Sequence, residues 1–317
     1  MIFVIVLYFL FASTFTLGKA ALSYVSPLLF IGMRMTLAGS MLLGYSWIKN
    51  KKTFFIKYSD YSLFFCIIIF HIFCSYTLEY WALAHVTSAK ACLLYNLSPF
   101  ITALFSYFLF QERLSMKQIA GLGVGFLGFL PILMAQAPTE QLTKNIGFLS
   151  LYEIALILSV ASSAYGWMIM KKLINKGYSF ILINGIGMTG GGLLAFFTSL
   201  IIEGKPAIKT AVITMPLIAN TFGIYAESVL MLLLYGLSLI FIANIICYNL
   251  YGHLLSRYSA TFLSFAGFMT PLFAALLGWL FLGEKVTWHF FATILLVLYG
   301  LYLFHEKKEI TFEEKGL

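Results

Sequence analysis

The chain has 317 residues, of which 61% are hydrophobic and 10% charged, with a mean hydropathy of +0.94. A soluble domain is about half apolar and about a quarter charged, and disordered chains are poor in the aromatics that make up 18% here, so both classes are excluded. At about 20 residues per bilayer-spanning helix the length accommodates roughly ten spans, and the net charge of +8 then reports membrane orientation rather than a nucleic-acid partner.

Hydropathy and turn signals place spans at 2–18, 25–47, 61–83, 87–110, 116–135, 149–169, 180–202, 227–249, 259–282 and 287–305. The runs are too long and uniform for barrel strands, and an unpaired backbone is costly in hydrocarbon, so helices are expected throughout. The first run is apolar from its second residue and has no basic segment before it, which reads as a span rather than a cleaved leader. Cys66, Cys74, Cys92 and Cys247 lie in apolar runs without a C-x-x-C, so they read as packing residues. With the N-terminus inside, thirteen Lys and Arg fall on the cytoplasmic side and five on the other, which predicts both termini in the cytoplasm.

An internal repeat organises the spans. Residues 95–115 and 267–287 align at one offset of 172, which places Pro99 on Pro271, Ala103 on Ala275, Glu112 on Glu284, Arg113 on Lys285 and Ser115 on Thr287. Ala12 and Lys19 align with Ala164 and Lys171 at an offset of 152. The expected organisation is an all-α membrane protein of ten transmembrane helices, with repeats at 1–135 and 149–305 and a cytoplasmic tail at 306–317. Five spans per repeat is an odd number, so the second copy enters from the opposite side. Inverted repeats are the architecture of alternating-access carriers, whose site lies near the midplane.

Lys19, Ser26–Pro27, Arg34, the run from Ala82 to Phe100 and the two Pro…Glu turns resemble the EamA-type branch of the drug/metabolite transporter superfamily. The resemblance covers nearly the whole chain and implies a ten-helix secondary transporter in the bacterial inner membrane. It is a poor guide to substrate, because members carry amino acids, nucleosides, polyamines and drugs. Within the superfamily, FASTFTLGK and EYWALAHVTSAKA are similar to S-adenosylmethionine/S-adenosylhomocysteine exchangers of intracellular bacteria. Export or uptake of amino acids or drugs, with protons coupled through His71 or Glu79, and a ligand-sensing receptor remain alternatives.

Ionisable groups inside spans mark candidate sites. His71, Ser75 and Glu79 fall at i, i+4 and i+8 on the third span, with Tyr76 beside Glu79. The eighth span answers with Asn244, Tyr248 and Tyr251. These stripes either face a shared cavity lined by spans three, four, eight and nine, or act as interhelical packing glue. Glu79 and Lys90 flank a tight connection, and either neutralise one another or bind the ammonium and carboxylate of an amino-acid-like substrate. Tyr76, Tyr80, Trp81, Tyr95 and Tyr248 around Glu79 would suit a cationic ligand. Lys19 reads as interfacial, and Arg34 reads as structural, in need of a carbonyl, water or carboxylate. Glu153 and Glu227 read as helix caps, and Asn96 and Ser98 as partners for the carbonyl that Pro99 frees.

The Gly123-x-Gly125-x-x-Gly128 and Gly185-x-Gly187-x-x-Gly190 patterns lack a preceding strand. Gly121/Gly125 and Gly187/Gly191 read instead as small-residue helix packing. His289 and His305 read as interfacial. Neither a catalytic motif, a metal site nor a cofactor is indicated, and the expected partners are a small cationic or zwitterionic metabolite and the lipid bilayer.

Overall fold

The computed structural model describes residues 2–49, 56–86, 91, 94–111, 114–136, 150–203, 221–273, 295–296, 298–300 and 302–303, the side chains of 128–136 and 221–228 excepted. Among these residues nine helices follow in chain order: α1 Ile2–Ala21, α2 Pro27–Lys49, α3 Tyr58–Leu83, α4 Ser98–Phe110, α5 Met116–Gln136, α6 Leu151–Asn175, α7 Phe180–Ile202, α8 from Thr221 to Leu255, and α9 Ala260–Phe273. Residues 295–296, 298–300 and 302–303 are helical pieces of the tenth apolar run. Six helices (α1, α2, α3, α6, α7 and the Val229–Leu255 part of α8) are long and apolar enough to cross a membrane. Their outer faces expose Phe9, Leu37, Phe65, Leu158, Phe197 and Leu233, as helices solvated by lipid tails do. Lys90, Cys92, the Glu112–Arg113 and Glu284–Lys285 turns, His289, His305 and the 306–317 tail lie outside the described residues.

The helix ends follow local chemistry. Ser150 and Glu153 form a capping box at α6, each side chain bonding the other's backbone N–H, so Glu153 caps as expected. The expected start of the eighth span at Glu227 is corrected: α8 is already helical at Thr221, so Glu227 lies within the helix rather than at its N-terminus. Lys19 donates to the Leu83 and Val86 carbonyls at 2.5 and 2.7 Å, which satisfies the end of α3. At the start of α2 the Glu203 carboxylate accepts from the Leu28 and Leu29 amides at 2.9 and 3.1 Å and from Ser26 and Ser199 hydroxyls at 2.7 Å each. This carboxylate joins the end of α7 to the positive end of the α2 dipole. Glu203→Ala is expected to destabilise the protein by about 1–2 kcal/mol, read as a lower unfolding midpoint in detergent.

Helices α2 and α7 make the most extensive helix pair. Glycines create the approach. A Cβ on Gly32 would lie 2.7 Å from the Phe196 backbone, one on Gly192 would lie 2.5 Å from the Thr36 amide, and one on Gly39 would strike the Thr189 amide. Gly187 and Gly191 turn the other way, onto Ile67 and Ile72 of α3. The small residues of α7 therefore serve two neighbours, which explains the dense Gly pattern without a nucleotide. A Cβ on Gly300 would lie 2.8 Å from the Gly121 carbonyl and 3.0 Å from the Gly125 amide, so that pair packs the tenth run.

Matching irregularities recur in the two halves. Ile67–Cys74 of α3 and Ile240–Cys247 of α8 are both eight-residue π-helical segments, 173 residues apart. Turns at Asn96–Leu97 and Gly267–Phe268 interrupt the chain just before Pro99 and Pro271. Proline lacks the N–H that would bond the carbonyl four residues earlier and its ring crowds that carbonyl, at Tyr95 and Gly267, so both breaks have the same local cause. The pairing of helices is also symmetrical: α1 packs on α8, and α6 on α3.

At one end of the bundle Asp60, at the start of α3, accepts from Lys176 and from the Tyr178 hydroxyl, the latter at 2.8 Å. Tyr178 follows Gly177, whose φ of 91° ends α6 in a left-handed turn that glycine adopts without strain.

Candidate functional site

The helix breaks and the polar faces of α3 and α8 converge on a cavity of about 130 Å³. It is wider in membership than spans three, four, eight and nine alone. Helix α1 adds Tyr8, Phe11, Thr14 and Phe15, α2 adds Arg34, and α6 adds Ser163 and Trp167. Of the residues expected from sequence, Ser75, Tyr76, Glu79 and Tyr80 from α3, Tyr95 ahead of α4, and Tyr248 and Tyr251 from α8 line it, and α9 adds Ser264. Helices from both halves of the chain thus share one space.

Glu79 is the carboxylate of this cavity among the described residues. The Tyr95 hydroxyl donates to its Oε2 at 2.7 Å and lies 3.1 Å from Ser159 Oγ, which in turn reaches the Ser75 carbonyl at 2.8 Å. The Glu79 side chain is thereby held between α3, α6 and the approach to α4. Tyr76 lies 6.1 Å from both Tyr80 and Tyr248 between ring centroids, and Trp167 stacks on Tyr251 at 3.9 Å and 27°. The walls are therefore mainly aromatic, with one acidic group set among the rings.

Arg34 supplies the opposite charge. It is 3% exposed, donates through Nη1 to the Tyr80 hydroxyl at 2.6 Å, and lies 5.0, 5.2 and 5.5 Å from the centroids of Tyr80, Tyr76 and Phe30. The carbonyl, water or carboxylate expected for a structural Arg34 is replaced by a tyrosine hydroxyl and three ring faces. Nothing in its own helix signals this environment, because the rings come mostly from α3.

Three of the residues proposed from sequence stand outside the cavity. His71 is fully buried one turn below Ser75, its ring 4.4 Å from Trp167 and 5.4 Å from Tyr248, and packed onto Gly166. The π segment widens the turn that carries His71 and takes it off the line of Ser75 and Glu79. Asn244 is also fully buried and directs its amide to the sulfurs of Met35 and Met188 at 2.9 and 3.8 Å. Trp81 is 37% exposed and leans on Tyr152, 5.1 Å away, because neighbours in sequence point to different sides of a helix. Lys90 lies outside the described residues. Ser98 pairs with Ser264 at 2.8 Å rather than with a carbonyl freed by Pro99. Thr102 also donates to Ser264, at 3.0 Å, so hydroxyls lace α4 to α9 beside the two breaks. Among the described residues no three His, Cys, Asp or Glu side chains converge as a metal site requires.

The profile of the EamA-like transporter family matches residues 1–134 and 150–305. The chain belongs to that family, the EamA-type branch of the drug/metabolite transporter superfamily. It is 32% identical over 279 residues to the S-adenosylmethionine/S-adenosylhomocysteine transporter of Chlamydia muridarum (strain MoPn / Nigg), across 87% of this chain and 82% of that one. The transporter of the same name from Chlamydia trachomatis serovar L2 is 31% identical, across 87% and 80%. A probable amino-acid metabolite efflux pump of Salmonella typhimurium is 25% identical, across 91% and 89%. A crystal structure of a protein with 16% identity superposes with a TM-score of 0.66 over 95% of this chain and 94% of its own, which shows a shared fold. The protein is a membrane transporter of this superfamily.

Proposed function

We propose that this transporter exchanges S-adenosylmethionine for S-adenosylhomocysteine by alternating access of two inverted five-helix repeats around the shared cavity. The observation that carries the reading is the Glu79 carboxylate, the one such group in that cavity among the described residues, set among tyrosines and Trp167. S-adenosylmethionine combines a sulfonium and an ammonium with an aromatic base. A carboxylate and ring faces complement both cations, and the rings also offer stacking surface to adenine. The 32% relatedness to a carrier of that name supports the same assignment. The paired π segments and proline-associated breaks provide matching irregular points in the two halves, the kind of discontinuous helix from which inverted-repeat carriers build their sites.

Counterflow in proteoliposomes tests the reading. Vesicles loaded with unlabelled S-adenosylmethionine are expected to accumulate labelled S-adenosylmethionine, with S-adenosylhomocysteine competing and nucleosides failing to compete. Saturable uptake of amino acids with none of S-adenosylmethionine would transfer the assignment to amino-acid export or uptake. Trp167 presents the largest ring of the cavity wall, and Trp167→Ala is expected to weaken both S-adenosyl compounds by about tenfold, read from competition curves.

A further inference from the structure

Arg34 has more hydrogen-bonding capacity than the protein uses. Its Nε and Nη2 are buried and have no hydrogen-bond partner among the described residues, while Nη1 alone is committed, to Tyr80. Guanidinium donors left unmet out of water are costly, and their directions are fixed by a planar fork that matches a carboxylate. The charge is held by neutral groups, namely three ring faces and one phenol. Glu79 occupies the same cavity without an ion pair to Arg34 within 4 Å, its Oε2 being bonded to Tyr95. Asn96, also lining the cavity and 5% exposed, adds a third donor, Nδ2, without a partner among the described residues.

We infer that Arg34 is the anchor for the α-carboxylate of the transported amino-acid group, through the Nε and Nη2 edge. This deepens the S-adenosyl reading and rests on it for the substrate's name, though not for the chemistry. The site then reads a zwitterion with two fixed charges: Glu79 faces the cationic groups and Arg34 the carboxylate. The Tyr80 hydroxyl and the rings of Phe30 and Tyr76 hold the guanidinium in place, so its free edge is presented rather than searching. Both S-adenosylmethionine and S-adenosylhomocysteine carry this carboxylate, so one anchor serves both directions of an exchange, while the sulfonium distinguishes them elsewhere. The assignment replaces Lys90 with a residue whose placement in the cavity is known.

The test compares S-adenosylmethionine with decarboxylated S-adenosylmethionine as competitors of labelled uptake. The wild-type protein is expected to favour the carboxylate by about 10- to 100-fold, the range of a hydrogen bond to a charged group. In Arg34→Met the ratio is expected to fall to about one, and in Arg34→Lys, which keeps the charge and loses the fork, to an intermediate value. The ratio is taken within one protein and so is independent of how much of a variant folds; if Arg34→Met yields no transport at all, Arg34→Lys and Arg34→Gln carry the measurement. A merely structural arginine would lower both competitors together and leave the ratio unchanged, and that outcome, or a wild-type ratio near one, overturns the assignment. A wild-type protein that ignores both adenosyl compounds but prefers methionine to 3-methylthiopropylamine, with the preference lost in the Arg34 variants, retires the S-adenosyl reading and keeps Arg34 as the carboxylate anchor.

Discussion

Glu79→Gln is expected to reduce S-adenosylmethionine counterflow by about 100-fold while leaving the purified protein monodisperse and close to wild type in unfolding midpoint. The amide matches the carboxylate in shape and can still accept from the Tyr95 hydroxyl, which donates to Oε2 at 2.7 Å. The local hydrogen bonding therefore survives, and only the negative charge is lost. Truncating one member of a buried charged pair costs about 2–5 kcal/mol, which spans the expected factor. The loss should be larger for S-adenosylmethionine than for S-adenosylhomocysteine, since only the former carries the sulfonium. Equal losses for both would place the Glu79 contact at the shared ammonium. Unchanged counterflow of both would remove Glu79 from substrate recognition.

Valine at Gly39 or Gly192 is expected to destabilise the protein by about 3 kcal/mol or more and to give aggregated material on size-exclusion chromatography. The obstacle at both positions is backbone: the Thr189 amide faces Gly39 and the Thr36 amide faces Gly192. Side chains can rotate away from an added methyl, whereas two helix backbones must separate, and α2 with α7 forms the most extensive pair in the bundle. Gly44, on the same helix as Gly39, has open space where a Cβ would stand, with nothing within 4 Å, so Gly44→Ala is the matched control with an expected effect near zero. If Gly39→Val and Gly44→Ala unfold at the same temperature, close α2–α7 packing does not hold the two halves together.

Much of the fold could be read directly because a bilayer permits so little else. Long apolar runs become helices: α7 coincides with its expected span, α2 is displaced by two residues at each end, and α1 and α6 run three and six residues further at their C-terminal ends. The site was legible where ordinary helical spacing applied: Ser75 and Glu79 are four residues apart and do line the cavity together. It was not legible at His71, because a π turn between residues 67 and 74 breaks the period on which such a stripe depends. The π segments of α3 and α8 correspond at an offset of 173, whereas the prolines align at 172. His71 thereby corresponds to Asn244, and both are buried below the cavity.

Arg34 and Trp167 illustrate a different limit. Arg34 stands among mainly apolar neighbours and Trp167 four residues after Ser163, and what gives each its role is brought from other helices: Tyr76 and Tyr80 of α3 for Arg34, and Tyr251 of α8 for Trp167. Composition and periodicity describe one helix at a time, so a site assembled between helices from single residues leaves no pattern in any one of them. Trp81 fails for the converse reason. It neighbours Tyr80 in sequence, yet one residue along a helix is about 100° around it, and the ring faces outward.

Obligatory exchange through a shared cavity is tested most directly by efflux from proteoliposomes preloaded with labelled S-adenosylhomocysteine. External S-adenosylmethionine is expected to release the label in a saturable manner and in a one-to-one ratio with its own entry, and Glu79→Gln is expected to abolish both fluxes together. Label that stays inside when S-adenosylmethionine is added, or leaves at the same rate without it, would contradict exchange of the two compounds by this protein.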